Sequence, residues 1–333
     1  MPAEWAPHAR TWMAWPRRPE SWNGAENLDM ARRSYADVAR AIARYEPVTM
    51  LASPEQVAGA SLACGSTVAV MPMPLNDSWV RDNGPVFVTD GKGGVAGTDW
   101  VFDGYGGLSG DFADDAAVPE RLLGHLGMRR YAVQMVLEGG AVCVDGEGTL
   151  IATESVLLNE RRNPGMDRKA VEAMLAENLG VHRVVWLAGG LDGDTTQGHV
   201  RLVAAFARPG VVMAHVAPDK ADVNHAMLAE NLNRLKNATD ARGRVLDIVP
   251  VPLPTARRDG GRRLPLSYLS AYIANGAVIV PAFDEARDTE VAALYREQFP
   301  GREVILMDAD DVFAGGSGFH AIALGQPAGE ALT

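Results

Sequence analysis

The sequence predicts an α/β fold, and three observations carry that prediction. Amphipathic runs at helical spacing alternate along the 333-residue chain with short apolar runs of strand length. A polar or glycine-containing turn followed by an apolar strand recurs five times, at starting points about 50 to 70 residues apart, a period that suits blades around a central axis. No low-complexity linker interrupts the alternation, so residues 1–333 read as a single domain.

The first clear helix covers residues 26–45, where Leu28, Tyr35, Val38, Ile42 and Tyr45 fall on one face. Apolar runs at 66–71, 85–89 and 148–153 read as strands. Asp167 then caps a helix carrying Val171, Met174, Leu175 and Leu179, and Gly180 stops it. Strands follow at 183–187 and 211–215, and the amphipathic run 219–235 reads as a helix. Strands at 277–282 and 303–307 bracket a last helix, 284–299, which Pro300-Gly301 ends. The five recurring units are WVRDNGPVFVTDGKGGVAGTDW, LEGGAVCVDGEGTLIAT, QGHVRLVAAFARPGVVMAHV, LSYLSAYIANGAVIVPAF and GSGFHAIALG. In a ring of such units the first strands carry residues distant in sequence to one axial pocket. Asp82, Glu138, His199 and residue 321 each stand at or near the start of a different unit.

Composition narrows the function. Hydrophobic residues at 47% and charged residues at 22% are ordinary for a globular chain. A formal net charge of −11 argues against nucleic acid or an acidic membrane surface as partner and mildly favours cationic ligands. No apolar run is long enough to span a membrane, and the N-terminus lacks the basic and apolar regions of a signal peptide. A cytoplasmic protein with a small-molecule substrate is expected. The two cysteines, Cys64 and Cys143, read as separate thiols of a reducing compartment. No motif implies a metal or an organic cofactor.

Several strings are more specific. They are MPAEWAPHARTWMAWP at the start, NDSWVRDNGP at 76–85, LEGG at 137–140, NERRNPG at 159–165, DTTQGHV at 194–200 and GGSGFHAI at 315–322. With them nearly the whole chain resembles the agmatine deiminase and bacterial-type peptidylarginine deiminase family, guanidine-modifying enzymes of five-bladed α/β-propeller (pentein) fold. The resemblance implies covalent chemistry. A cysteine thiolate attacks the guanidinium carbon, ammonia leaves, and water hydrolyses the intermediate while a histidine passes protons. It assigns guanidinium binding to Asp82, a place beside the histidine and the guanidinium to Glu138, proton transfer to His199, and a pocket wall to Trp79. It also implies a homodimer.

Three departures stand against that pattern. Alanine occupies the nucleophile position, at Ala321. The family's His-x-Asp becomes His199-Val200-Arg201, and the polar stretch after the cysteine becomes Ile322-Ala323-Leu324-Gly325. If 199–201 is a strand, residues 199 and 201 share a face, so Arg201 is expected to line the pocket. A cation in place of an anion about 4 Å from a guanidinium changes the interaction by several kcal/mol.

Each candidate also has a plain structural reading. Asp82 can brace the turn before Asn83-Gly84-Pro85, Glu138 can be a solvated strand-edge residue, and His199 can be a satisfied structural histidine. Gly315, Gly316 and Gly318 suit a tight turn with positive φ, and Gly316 can also let backbone approach a ligand. Cys143 reads as a packed strand thiol, and Trp12, Trp15 and Trp22 as core. Three functions remain open. The first is hydrolysis of a small guanidino compound with release of ammonia, its cysteine replaced at Ala321. The second is a diverged enzyme whose Arg201 binds an anionic or carbonyl group. The third is a catalytically dead homologue that binds a metabolite or protein.

Overall fold

The computed structural model describes residues 1–333. Its strands form five separate mixed sheets and one small ribbon, Arg258–Asp259 with Arg262–Arg263, and no sheet closes on itself. The sheets share one build. Two antiparallel strands come first, and a helix then returns the chain to a third strand parallel to the second. The helix is needed because a parallel pair cannot be joined by a tight turn.

In chain order the hairpin Val86–Thr89/Gly94–Val101 is followed by helix Val118–Leu126 and strand Arg130–Val136. The hairpin Val142–Val144/Thr149–Thr153 leads through helix Arg168–Leu179 to Arg183–Leu187. Ala204–Arg208/Val211–Val216 leads through His225–Lys236 to Asp247–Pro252. Tyr272–Ile273/Ala277–Ala282 leads through Ala286–Gln298 to Glu303–Asp308. The remaining sheet joins both ends of the chain. Ala323–Pro327 pairs antiparallel with His8–Ala14, and His8–Ala14 runs parallel to Val48–Ala52 across helix Ala25–Ile42.

The expected strands and helices are all present, most with small shifts at their ends. Asp167 accepts a hydrogen bond from the Ala170 amide, and Gly180 closes that helix at φ 67°. The helix expected at 219–235 begins only at His225. Before it, the Asp219 and Asp222 carboxylates hold the amides of Ala221 and Asn224 in turns, the local side-chain chemistry that competes with helix.

Trp12, Trp15 and Trp22 are buried, as their core reading requires. Trp22 stacks on Trp79 with ring centroids 5.6 Å apart and meets Tyr35 edge-on at 5.9 Å. No helix is long and apolar enough to cross a membrane.

Four short helical turns share one place in this repeating build. Val80–Asn83, Gly139–Ala141, Val200–Leu202 and Phe319–Ile322 each immediately precede the first strand of a different sheet. The first packs on the second and the fourth, and the second packs on the third. All their residues are buried.

Candidate functional site

These turns bring Asp82, Glu138 and His199 together although up to 117 residues separate them in sequence. The Asp82 amide donates to the Trp79 carbonyl at 2.9 Å, which fixes the turn and aims the carboxylate inward. Its Oδ1 accepts from the Gly140 amide at 3.1 Å, and its Oδ2 from the Tyr105 hydroxyl at 3.1 Å. The His199 ring lies between two carboxylates, with Nδ1 3.6 Å from Asp82 Oδ1 and Nε2 3.8 Å from Glu138 Oε2. Both gaps exceed a hydrogen bond, and Nε2 and Oε2 have no other partner. Gly140 keeps this arrangement possible, since a Cβ there would lie 2.5 Å from Asp82 Oδ1 and 2.7 Å from His199 Nδ1.

Glu138 is anchored from its other oxygen. Arg162 Nε donates to Oε1 at 2.8 Å, while the same guanidinium donates to the Thr196 carbonyl at 2.9 Å and to Gln197 Oε1 at 3.3 Å. Both side chains of this ion pair are fully buried. Arg162 thus ties the LEGG turn to the DTTQGHV turn, and the His199 amide is held from the same segment by Asp194 and Thr196.

The electrostatics favour an imidazolium. Burial opposes charge on His199, but Asp82 and Glu138 together outweigh it and raise its pKa above 6.5. Burial also pulls Glu138 toward neutrality, yet His199 and Arg162 hold its pKa below the usual glutamate value. For Asp82 burial wins, helped by Glu138, and its pKa rises despite His199. Histidines elsewhere in the interior behave oppositely, with burial lowering His215 to about 4 and His320 to about 3. Folding therefore favours protonated His199. Its contribution to stability is complete below the unfolded pKa near 6.5 and is lost as pH rises through the raised folded value. His215 works the other way, losing stability as pH falls from about 6.5 toward 4. In an NMR titration of the imidazole nitrogens, His199 is expected to be the buried histidine still protonated at pH 6.5. Titration of His199 below that value would contradict the arrangement.

Ala321 lies on the Phe319–Ile322 turn, buried, and its amide donates to the Gly318 carbonyl at 3.1 Å. This turn packs on the Asp82 turn, and Arg81 Nε bonds the Ala323 carbonyl at 3.1 Å. The glycines before it are needed for different reasons. Only Gly316 has a positive φ, 111°, with Thr195 Oγ1 2.7 Å from where a Cβ would stand. Gly315 and Gly318 have ordinary φ values and instead make room, for the Trp22 ring and for Ser270 and Phe313. Trp79 belongs to the Trp22–Tyr35 aromatic cluster.

Arg201 departs from its expected place. Residues Val200–Leu202 form a 3-10 turn entered from an extended His199, so the strand alternation that would put residues 199 and 201 on one face does not hold. The Arg201 guanidinium donates to the Ala271 carbonyl at 3.0 Å and lies 3.5 Å from Glu4 Oε2. Burial would protonate Glu4, but the charges of Arg201 and Arg81 and the hydrogen bond from His320 outweigh it and keep the carboxylate ionised. Neutral His320 faces Glu4 Oε1 at 2.6 Å, and Arg81 lies 3.9 Å from the same oxygen. Arg201 is therefore a paired cation. Cys143, near Arg201 and bonded by the Phe206 amide, is a buried thiol whose pKa burial raises, and Cys64 is likewise free.

Four residues that complete this region carry no expectation from the sequence: Glu4, Arg81, Tyr105 and Arg162. All but Tyr105 sit in the quoted strings. A side-chain role could have been sought at Arg162, flanked by Arg161 and Asn163, but adjacent arginines read equally well as a solvated face.

Known proteins resemble this chain over nearly its whole length. The family model for Porphyromonas-type peptidyl-arginine deiminase matches residues 1–327. An agmatine deiminase of Stutzerimonas stutzeri is 41% identical, over 98% of this chain and 95% of its own length. The solved agmatine deiminase of Enterococcus faecalis superposes with a TM-score of 0.94 at 31% identity, covering 98% of this chain and 95% of that one. DDAH of Pseudomonas aeruginosa, at 15% identity and a TM-score of 0.52 over 96% of this chain and 99% of its own, shares the fold alone.

Proposed function

The chain belongs to the Porphyromonas-type peptidyl-arginine deiminase family, and on that premise we propose that its buried centre is a site for a small guanidino compound. The function is that of an agmatine deiminase-like C–N hydrolase whose covalent step is lost at Ala321. One observation carries the reading. His199 is held between Asp82 and Glu138, with its charge favoured and both ring nitrogens within 4 Å of a carboxylate. Such a group can give a proton to a departing nitrogen and take one from incoming water. Asp82 supplies a carboxylate that matches the planar cation.

The same reading covers the architecture. The five sheets are blades of one domain arranged around an axis, and the four short turns are its rim. Arg201 supports a guanidino ligand over an anionic one, because Glu4 and the Ala271 carbonyl already satisfy its charge.

Isothermal titration of agmatine tests the proposal in the unaltered chain. Binding is expected, and Asp82→Asn should weaken it by about tenfold or more through loss of the charge-assisted bond. Equal affinity in the two proteins, or no heat in either, would refute it.

A further inference from the structure

We propose that Glu4 is a positioning residue of this site: its carboxylate joins the three turns that carry Asp82, His199 and Ala321, in a carboxylate-binding pocket formed by Arg81, Arg201 and His320. The proposal rests on reading those turns as the site and adds to it the group that holds them in register.

Each contact of the Glu4 carboxylate falls beside a different site residue. Oε1 accepts from His320 Nε2 at 2.6 Å, and His320 precedes Ala321. The same oxygen lies 3.9 Å from Arg81 Nη1, and Arg81 precedes Asp82. Oε2 lies 3.5 Å from Arg201 Nη2, two residues after His199. The Glu138 turn is drawn in through Arg81, whose carbonyl oxygen would stand 2.1 Å from a Cβ at Gly139. The side chains of Arg81, Arg201 and His320 are at most 8% exposed, and no other carboxylate lies within 4 Å of either arginine. Two buried guanidinium charges therefore depend on this one anion.

The surrounding backbone presents Glu4 to the turns. It stands in a turn closed by the Ala6 amide, which donates to the Ala3 carbonyl at 3.0 Å. Arg302 donates to the Trp5 carbonyl at 2.9 Å, and His8 Nε2 lies 3.1 Å from the Glu4 carbonyl oxygen. On the other side Ala3 packs so closely on Gly146 that a Cβ there would lie 3.1 Å from the alanine Cβ. The carboxylate is thus delivered from a fastened segment. The Glu4 side chain keeps 12% exposure, so its pocket can be reached from solvent.

Charge is what does the joining, and its loss reaches the site. Without Glu4 the guanidinium groups of Arg81 and Arg201 stand unbalanced beside Asp82 and His199, and positive charge there opposes an imidazolium. The other charged and titratable neighbours of His199 are Asp82, Glu138, Asp194 and Tyr105, none of which a substitution at Glu4 alters. Glu4→Ala removes one methylene and one carboxylate, the heavy atoms of an acetate ion. The pocket it leaves offers charged N–H donors to a carboxylate and can therefore take that ion back from solution.

An NMR titration of the His199 imidazole decides this. In Glu4→Ala its proton affinity should fall by about tenfold, the effect of one charge lost nearby in a partly shielded interior. Sodium acetate at about 50 mM, saturating for a ligand that binds in the millimolar range, should restore most of that loss, and sodium chloride at the same ionic strength should not. In the unaltered chain acetate should change nothing, because Glu4 fills the pocket. A folded Glu4→Ala protein whose His199 titrates as before, or whose titration acetate fails to restore, would overturn the proposal. Should Glu4→Ala not fold, Glu4→Gln keeps the shape and removes the charge. The same fall is then expected without any response to acetate, and an unaltered titration would again defeat the idea. No guanidino ligand enters these titrations, so a failure of agmatine to bind would count against the proposed function alone.

Discussion

Ala321→Cys is expected to release ammonia from agmatine at a rate roughly 10⁴-fold or more above the unaltered chain, the order of effect seen when a catalytic nucleophile is removed from an enzyme. The structure is prepared for that change. Position 321 lies on a turn packed against the Asp82 turn, and the substitution adds one sulfur atom to a buried alanine. Fitting an extra atom into a packed interior costs about 1–3 kcal/mol at most sites, which a chain of this size tolerates. A thiol at 321 that reaches His199 would have its thiolate form favoured, because two carboxylates outweigh the burial of that imidazole and favour its charge. The departure at Arg201 does not forbid the reaction, since its guanidinium is matched by Glu4. What it removes is a second carboxylate for the substrate. Weak substrate binding is therefore expected to accompany restored turnover, with KM more affected than kcat. A coupled assay for ammonia across a panel of guanidino compounds checks this. A folded revertant that releases none from any of them would defeat the assignment of position 321.

The contrast between His199 and Arg201 shows how far the sequence reaches. Four of the five antiparallel pairs are legible because their apolar runs are bounded by turn residues, as in the Val142–Thr153 unit, whereas the fifth joins Ala323–Pro327 to His8–Ala14, where no strand is expected, from the other end of the chain. Among the outer strands, Val68–Pro72, Arg183–Leu187 and Glu303–Asp308 are legible and two are harder. Arg130–Val136 is largely exposed over its first half, and Asp247–Pro252 carries prolines at both 250 and 252, which mark an edge and weaken a strand pattern. At the site, Asp82, Glu138 and His199 are legible through their strings, and the structure brings all three together. Arg201 was not, because its direction depends on whether three residues before a strand already have strand geometry. They have 3-10 geometry, and that rotates the side chain toward Glu4. The partner stands 197 residues away at the other end of the chain, and no local pattern announces such a pair. Tyr105 was hidden for a similar reason. A tyrosine among glycines reads as a loop, and only the fold shows its hydroxyl on Asp82.

Arg162→Met is expected to lower stability by about 3–5 kcal/mol, the range for breaking a buried ion pair from one side. Both partners are inaccessible to solvent, so Glu138 would be left without the donor that satisfies Oε1 and with His199 as its nearest remaining cation. The loss extends beyond one bond, because the same guanidinium holds the Thr196 carbonyl and Gln197 in the segment that positions His199. The pH dependence should change sign for this group. In the unaltered chain Glu138 has a folded pKa below 4.5, so it contributes stability that is present above 4.5 and lost as pH falls through the folded value. Without Arg162 burial dominates and raises the folded pKa, and stability is then lost as pH rises through it. Adding Glu138→Gln to Arg162→Met should therefore recover part of the loss near neutrality and abolish that pH dependence, although catalysis in an Ala321→Cys background would stay impaired. Urea unfolding at pH 5 and pH 8 for the two single variants and the double variant measures each term. A loss below about 1 kcal/mol for Arg162→Met would place the pair among the weak, solvent-screened bridges. It would remove Arg162 as the clamp on the Glu138–His199 geometry.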